Sequence, residues 1–322
     1  MPEFDLIRRY FTPSTLPGNV LLGVGDDAAL LETTPGQSLV VTCDTLVAGV
    51  HFQPEVSPEA LGHKALAVNL SDLAAMGAEA RWVTLALTLP EENAAWLEGF
   101  SSGFRTLADR HGVALVGGDT TQGPLSITVT AMGEVPVGQA LRRDGARPGD
   151  GIYVSGTLGG AGLALAEMHT DFNIAPAMRQ AAQRRLDYPE PRLTLGRALR
   201  GIASSAIDIS DGLQADLGHI LEQSGGGATL QLAGVPLEHG LAELVLLDTD
   251  LWALPLSAGD DYELLFTVPR DREAALQKTL AGLEPAVHRI GEIEPREGLR
   301  CYLPDGELLG LTSPGYEHFR KD

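Results

Sequence analysis

The stretch "SSAIDISDGLQADLGHI" (204–220) carries an apolar run into Asp208, Ser210 and Asp211, ahead of a glycine and a helix-like segment. Unpaired carboxylates are costly to bury, so they must either stay in water or meet a cation. The spacing does not fit a calcium-binding EF-hand loop. Its glycine falls one position early, and His219 stands where a bidentate glutamate is required. The stretch predicts a strand that ends in a cluster of carboxylates.

Carboxylates beside glycine, or at the end of an apolar run, recur along the chain. They occur in "GVGDDAALL" (23–31), "VVTCDT" (40–45), "NLSDLAAMG" (69–77), "LVGGDTT" (115–121) and "SAGDDYELLF" (257–266). Oxygen-only sites without clusters of His or Cys suit Mg²⁺, which usually shares a few carboxylates with substrate phosphates. The pattern therefore favours a magnesium site that handles a phosphorylated substrate.

The composition is that of a globular protein. The 322 residues are 44% apolar and 20% charged, enough for two ordinary domains or one large one. The net charge of −20 disfavours nucleic acid and anionic membranes as partners. We find no signal peptide and no apolar run near the roughly 18 residues of a membrane span. With only Cys43 and Cys301, neither a disulfide framework nor a zinc site is expected, so we expect a cytoplasmic protein.

The spacing of apolar residues predicts alternating strands and helices. The predicted strands are 38–47, 82–90, 113–121, 125–135 and 151–155, and the predicted helices are 57–77, 93–112 and 161–169, with a long helical region at 176–201. The polar, turn-rich stretch 142–156 predicts a boundary between domains at 1–148 and 149–322. The predicted fold class is α+β (α/β), with mixed sheets packed by helices.

The loop "GTLGGAG" (156–162) follows a strand and opens a helix, a position where a phosphate can bind. It matches neither G-x-G-x-x-G nor a P-loop, and none of the three lysines lies in a glycine loop. By itself this loop is weak evidence for a nucleotide site.

Taken together, the motifs resemble those of the bacterial thiamine-monophosphate kinases, in the aminoimidazole-ribotide-synthetase-like superfamily. The matching stretches are "GVGDDAALL", "TCDTLVAGVHF", "KALAVNLSDLAAMGA", "LVGGDTTQGPLSIT", "RRDGARPGD", "AIDISDGLQADLGHI", "GDDYELLFTV" and "GYEHF". The resemblance implies transfer of the ATP γ-phosphate to thiamine monophosphate by a two-domain, Mg²⁺-dependent enzyme. It also implies a homodimer paired through its N-terminal sheets, and a C-terminal domain that completes the nucleotide and substrate site.

The resemblance also implies roles for individual residues. The implied metal ligands are Asp27, Thr42, Cys43, Asp44, Asp72, Asp119, Asp208 and Asp211. The implied ATP contacts are Gly118, Asp119, Arg143 and Ser210, and the implied acceptor contacts are His51, Asp260 and Tyr316. Asp208, Asp211 and Arg143 are the implied catalytic residues.

Two positions depart from the family pattern. Cys43 stands where relatives commonly have Thr or Ser, and because a thiol is a poor ligand for Mg²⁺, we expect its backbone carbonyl to serve instead. Asp260 stands where Glu is usual, so its carboxylate reaches one methylene less far.

Several residues have a second, structural interpretation. His51 could pack on Phe52, Tyr316 could anchor the C-terminus, and Asp216 is expected to be a solvated helix residue or an interdomain contact. One of Arg142, Arg143 and Arg147 is expected to reach a phosphate.

The implied acceptor explains why no strong general base is conspicuous. A phosphate monoester is largely dianionic at neutral pH and already a nucleophile, so catalysis requires positioning and neutralisation of charge. Three alternatives stay open at this point. They are another ATP-dependent synthetase of the superfamily, a metal-dependent phosphatase, and a non-enzymatic acidic metal-binding or scaffold protein.

Overall fold

The computed structural model describes residues 3–13, 15–170 and 172–310. The chain divides into two compact units, one of residues 1–73 and 78–140 and the other of residues 74–77 and 141–322. Within the described residues, no helix is both long and apolar enough to cross a membrane.

The first unit is a four-stranded sheet with helices on one face. Its helices are α1 (Glu3–Tyr10), α2 (Pro58–Ala75) and α3 (Ala94–His111). Its strands are β1 (Val20–Leu22), β2 (Leu30–Leu31), β3 (Gln37–Val47), β4 (Glu79–Leu89), β5 (Ala114–Gln122) and β6 (Ser126–Pro136). The main sheet has the order β3-β6-β4-β5, with β4 and β5 parallel and the other pairs antiparallel. Strands β1 and β2 form a separate antiparallel pair.

Helices α2 and α3 approach each other closely because glycines lie where they cross. A Cβ at Gly62 would lie 2.0 Å from the carbonyl oxygen of Phe100, and a Cβ at Gly103 would lie 1.9 Å from that of Glu59. Helix α3 starts at Asn93, whose side chain accepts the Trp96 N–H, and ends at Gly112 in the left-handed conformation. The glycines of this region therefore fix the helical layer that covers one face of the sheet.

The second unit is a six-stranded sheet with more numerous, shorter helices. Its strands are β7 (Gly151–Ser155), β8 (Ser205–Asp208), β9 (Gly227–Gln231), β10 (Leu264–Val268), β11 (Val287–Glu294) and β12 (Gly298–Tyr302). Its helices are α4 (Gly160–His169), α5 (Pro176–Asp187), α6 (Leu193–Ala198), α7 (Leu213–Ser224), α8 (Leu241–Leu247), α9 (Ala253–Ser257) and α10 (Glu273–Leu280). The sheet order is β12-β9-β11-β7-β10-β8, and only the β9–β12 pair of this sheet is parallel.

The mixed sheets packed by helices confirm the predicted α+β class. The strands and helices predicted between residues 38 and 169 occur with bounds that differ by only a few residues. The helical region predicted at 176–201 is two helices, α5 and α6, with Pro189 and Pro191 between them. Proline cannot donate the backbone hydrogen bond that a continuous helix would need at these positions.

Candidate active site

The first acidic cluster consists of Thr42, Asp44, Asn69 and Asp72 and joins strand β3 to helix α2. Thr42 Oγ1 donates a hydrogen bond to Asp72 Oδ2, and the Asp44 N–H donates to Asn69 Oδ1 at 3.1 Å. Asn69 is fully buried, and its Nδ2 donates to the Ala65 carbonyl at 3.1 Å, so the orientation of its amide is fixed. Thr42, Asp44 and Asp72 are each half-buried. The cluster offers hydroxyl and carboxylate oxygens, the ligand set that Mg²⁺ prefers.

Asp119, by contrast, lies across the sheet from this cluster. Across the sheet, Asp44 of β3 pairs with Val129 of β6, which pairs with Leu85 of β4, which in turn pairs with Gly118 of β5. Asp44 and Gly118 therefore lie on the two opposite edge strands of the sheet. Three strand spacings amount to about 14 Å. Asp119 is exposed and pairs with Ala86, an exposed residue of β4. Within one chain, Asp119 is therefore not brought to the first acidic cluster.

Three further residues of the first unit lie apart from the first acidic cluster. Cys43 is exposed, with its Sγ 3.5 Å from Thr130 Oγ1, because alternate residues of a strand point to opposite faces. Asp27 is exposed in the segment between β1 and β2. His51 is half-buried, and its Nδ1 accepts the Val47 N–H at 3.0 Å, which closes the turn after β3.

The second acidic cluster consists of Asp208, Ser210, Asp211 and Asp216 and lies where β8 leads into α7. Asp208 is the last residue of β8, is 4% exposed and pairs with Leu264 of β10. Ser210 and Asp211 follow in the connecting segment and are half-buried. The strand predicted to end in carboxylates is therefore observed.

The expectation that Asp216 is a solvated helix residue is wrong, because Asp216 is only 2% exposed. Its Oδ2 accepts the backbone N–H groups of Ser210 at 3.0 Å and Asp211 at 3.1 Å. Burial, together with the carboxylates of Asp208 and Asp211, raises the pKa of Asp216 to about 8. Asp216 thus lies within electrostatic reach of two other carboxylates.

The periodicity of α7 gave a signal for this burial. Leu213, Leu217 and Ile220 are fully buried, and Asp216 lies on the same helical face at the spacing of three and four residues. A ligand atom of each of Asp211, Asp216 and His219 lies within 4.8 Å of the others. The position of Asp216 on the apolar face of α7 therefore indicated, from sequence alone, a buried carboxylate that needs a hydrogen-bond partner.

The segment containing Asp260 is hydrogen-bonded to the segment containing Ser210. The Asp260 N–H donates to the Ser210 carbonyl at 2.9 Å, and the Tyr262 N–H donates to the Ile209 carbonyl at 2.8 Å. Asp260 and Tyr262 adopt left-handed φ values of 61° and 50°, which residues other than glycine rarely adopt. The predicted acceptor-binding residue and the predicted ATP-binding residue are thus held on adjoining backbone.

The three arginines of 142–147 are exposed but differ in their partners. Arg142 forms two hydrogen bonds with the Asp144 carboxylate, at 2.9 and 2.6 Å. Among the described residues, no ion pair involves Arg143 or Arg147. The Arg142 carbonyl accepts the Ala206 N–H of β8, and the Arg143 carbonyl accepts from Ser224 Oγ, so Arg143 is held beside the strand that ends at Asp208.

The glycine loop 156–162 is not left open for a phosphate. The N–H of Gly159, at the start of α4, donates to both carboxylate oxygens of Asp261, at 3.1 and 3.0 Å. Asp261 is 4% exposed, and burial raises its pKa to about 7, although the Gly159 N–H and Arg185 act to lower it. The anion at this helix N-terminus is therefore one of the protein's own carboxylates.

Glu263 is the centre of a buried ion-pair network. It is fully buried and accepts from Ser155 Oγ at 2.6 Å, Arg185 at 2.8 Å and Arg192 Nε at 2.7 Å. Arg185 also donates to the Thr157 carbonyl at 3.1 Å, which ties the glycine loop to α5. Glu263, which the sequence motif grouped with the ligand carboxylates, is thus paired with two arginines.

Tyr316 and the "GYEHF" motif lie outside the described residues.

Comparison with known proteins identifies relatives over nearly the whole chain. The family models "AIR synthase related protein, N-terminal domain" and "AIR synthase related protein, C-terminal domain" match residues 25–135 and 147–304. Thiamine-monophosphate kinase of Escherichia coli (strain K12) is 48% identical over 323 residues, which cover 98% of each chain.

Two solved structures support the same grouping. Thiamine-monophosphate kinase from Stenotrophomonas maltophilia K279a is 48% identical, with a TM-score of 0.86 over 96% of this chain and 98% of the other. The structure of AaThiL complexed with AMPPCP and TMP is 30% identical, with a TM-score of 0.76 over 98% of this chain and 96% of the other.

Proposed function

Because the chain belongs to the thiamine-monophosphate kinase family of AIR synthase related proteins, it is an ATP-dependent phosphotransferase, and we propose that its acidic clusters bind the Mg²⁺ that the reaction requires. The reaction transfers the γ-phosphate of ATP to thiamine monophosphate and yields thiamine diphosphate and ADP. The relative solved with AMPPCP and TMP supports ATP as the co-substrate.

The observation that carries the magnesium proposal is the second acidic cluster. Three carboxylates, Asp208, Asp211 and Asp216, lie together here, and burial, followed by the charges of Asp208 and Asp211, raises the pKa of Asp216 to about 8. Clustered carboxylate oxygens are ligands that suit a hard divalent cation. When bound, Mg²⁺ would neutralise phosphate charge that this chain of net charge −20 would otherwise repel.

We assign the residues around the reacting groups as follows. Asp208 and Asp211 would hold metal in the second unit, and Thr42, Asp44 and Asp72 would hold metal in the first. Ser210 and Arg143 would donate hydrogen bonds to phosphate oxygens, since both are held beside the end of β8. Asp27, Cys43, Asp119 and Gly118 remain assigned to metal or ATP through the family resemblance, and His51, Asp260 and Tyr316 to the acceptor.

The transfer we propose is direct and in line. A phosphate oxygen of thiamine monophosphate forms a bond to the γ-phosphorus as the bond from that phosphorus to the β,γ-bridging oxygen breaks, and ADP leaves with the electron pair. No general base is needed, because the attacking phosphate is already ionised at neutral pH. The protein then supplies alignment and charge stabilisation.

We also propose that the chain forms a homodimer in the cytoplasm, where ATP is available. One face of β3 is exposed and includes the apolar side chains of Leu39 (50% exposed) and Val41 (56% exposed). A second copy pairing on this face would cover both side chains. Cys43 and Thr45 belong to the same face, since they continue the alternation of that strand.

The experiment that tests the function is ADP formation from ATP and Mg²⁺ with thiamine monophosphate, with free thiamine and without acceptor. We expect ADP and thiamine diphosphate only with the monophosphate. We expect loss of at least about 10²-fold in kcat for Asp208→Asn, which removes a charge but little volume. ADP formation independent of acceptor would instead identify an ATPase or phosphatase, and no turnover with any acceptor would contradict the kinase.

A further inference from the structure

The backbone of Ser210 is held from two sides by different parts of the second unit. Its N–H donates to Asp216 Oδ2 at 3.0 Å, and its carbonyl accepts the Asp260 N–H at 2.9 Å. The contact with the Asp260 segment is close because Gly259 lies there. A Cβ at Gly259 would lie 2.3 Å from the Ser210 carbonyl oxygen. The peptide groups around Ser210 thus have little freedom to rotate while both hydrogen bonds are present.

Asp216 contributes to this arrangement through one oxygen atom. Both bonds, from the Ser210 N–H at 3.0 Å and the Asp211 N–H at 3.1 Å, end on Oδ2. Two successive N–H groups that point at one acceptor fix the orientation of both peptide planes. Asp216 itself is anchored within α7 by its burial, beside the fully buried Leu213 and Leu217. The helix therefore holds the acceptor rigidly, and the acceptor holds the segment.

We propose that Asp216 is a positioning residue, whose buried carboxylate fixes the backbone of Ser210 and Asp211. This backbone in turn orients the Ser210 hydroxyl toward the phosphates and the Asp211 carboxylate toward the metal ion. This inference rests on the proposed function of the second acidic cluster. It assigns Asp216 a role in alignment that none of the sequence motifs indicated. Misplacement of reacting groups by about 1 Å can reduce a rate by about 10²-fold, so a buried acceptor of this kind can matter for turnover.

A direct ligand role for Asp216 is the competing interpretation, because ligand atoms of Asp211, Asp216 and His219 lie within 4.8 Å of one another. The two roles differ in what they require. Positioning needs one oxygen acceptor at the place of Oδ2, which an asparagine amide can supply. A direct ligand to Mg²⁺ needs the negative charge as well, which asparagine lacks.

The test compares Asp216→Asn with Asp216→Leu, which is of similar size but offers no acceptor, and with Glu222→Ala, an exposed residue of the same helix. We measure kcat, the KM for thiamine monophosphate and the Mg²⁺ concentration at half-maximal rate. Hydrogen exchange of the amides of Ser210 and Asp211 is measured in parallel.

We expect Asp216→Leu to lose about 10²-fold in kcat with little change in KM, and to lose amide protection. Asp216→Asn should keep the protection and stay within about tenfold of the unmodified chain, and Glu222→Ala should match it.

Each other outcome overturns the proposal in a recognisable way. Unchanged kcat in Asp216→Leu, with or without lost protection, excludes positioning. If Asp216→Asn is as slow as Asp216→Leu and needs far more Mg²⁺, Asp216 is a direct ligand. Should the unmodified chain form no thiamine diphosphate, the proposed function fails separately, and hydrogen exchange still decides whether Asp216 holds this backbone. Asp216→Asn, which conserves shape, provides the comparison even if Asp216→Leu does not fold.

Discussion

Asp261 accepts the N–H of Gly159 with both of its carboxylate oxygens, at 3.1 and 3.0 Å, across 102 residues of sequence. The start of α4 is thereby capped from inside the same unit. The residue before Asp261 is the predicted acceptor contact Asp260, so this cap also anchors the segment on which Asp260 lies. The glycine loop and the Asp260 segment are therefore one structural element, although their sequence motifs are unrelated.

The carboxyl group of Asp261 should make stability depend on pH. Burial raises its pKa from 3.8 to about 7, so between these pH values the folded chain holds a proton that the unfolded chain has released. The stability contributed by this group therefore falls as pH rises from about 4 to about 7 and changes little above that. We expect the urea midpoint of the unmodified chain, relative to Asp261→Asn, to fall over this range. Asp305→Asn, at an exposed turn, should parallel the unmodified chain, and parallel curves for Asp261→Asn would contradict the assignment.

Replacing Glu263 by Gln should be strongly destabilising, because Arg185 and Arg192 would lose the charge that compensates them in a buried site. Breaking a buried pair by removing one partner costs about 3–5 kcal/mol in free energy of unfolding. The matched control is Glu292→Gln, whose pair with Arg289 is 44–46% exposed and should contribute at most about 1 kcal/mol. Urea unfolding of the two variants measures the difference in free energy of unfolding. An equal loss of stability in both would show that the buried network stabilises the chain no more than the exposed pair does.

The hydrogen bond from Thr42 to Asp72 should influence the Mg²⁺ binding that we propose for the first acidic cluster. In Thr42→Val the hydroxyl oxygen is lost, and with it the hydrogen bond to Asp72, so we expect the Mg²⁺ concentration at half-maximal rate to rise severalfold. Thr45→Val is the control on the same strand, where the hydroxyl contacts Thr128 at 2.8 Å on the exposed face. A titration of rate against Mg²⁺ measures both, and an equal shift in both variants would rule out a specific role for Thr42.

A charge on the exposed face of β3 should dissociate the proposed homodimer. Val41→Glu places a carboxylate where Val41 is 56% exposed in the single chain, and burying that charge in an interface would be costly. We expect the mass measured by light scattering to halve at micromolar concentration. Leu247→Glu alters a side chain that is 86% exposed in the other unit and should leave the mass unchanged. A monomeric mass for the unmodified chain would refute the dimer directly.

Gly118 should tolerate no side chain. Its φ is 149°, and a Cβ there would lie 1.9 Å from the Leu85 carbonyl oxygen, so Gly118→Ala must separate β5 from β4 or distort both. We expect a lower melting temperature and a higher KM for ATP. Gly138→Ala, at a positive φ with nothing within 4 Å of the added atom, should cost only the backbone strain of about 1–2 kcal/mol. Similar melting temperatures for the two variants would show that the β4–β5 pairing adapts.

Much of the fold followed from local pattern. Strands β3, β4 and β6 alternate with a period of two, helix α3 follows a period of about 3.6, and the elements from 37 to 136 end within two residues of a glycine or proline. Helix α2 is the exception to the periodicity, because it is buried on nearly all sides. The division of 176–201 into two helices was also encoded locally, by Pro189 and Pro191. The family and its reaction were likewise recognisable, because their motifs are contiguous stretches of sequence.

What the sequence could not determine were the partners of individual carboxylates. "GDDYE" contains Asp260, Asp261 and Glu263 within four residues, yet only tertiary contacts assign Asp261 to a helix N-terminus and Glu263 to two arginines more than 70 residues away. The reason is physical. Whether a carboxylate binds a metal, caps a helix or pairs with arginine depends on burial and on the nearest donor, and chain segments far apart in sequence supply both.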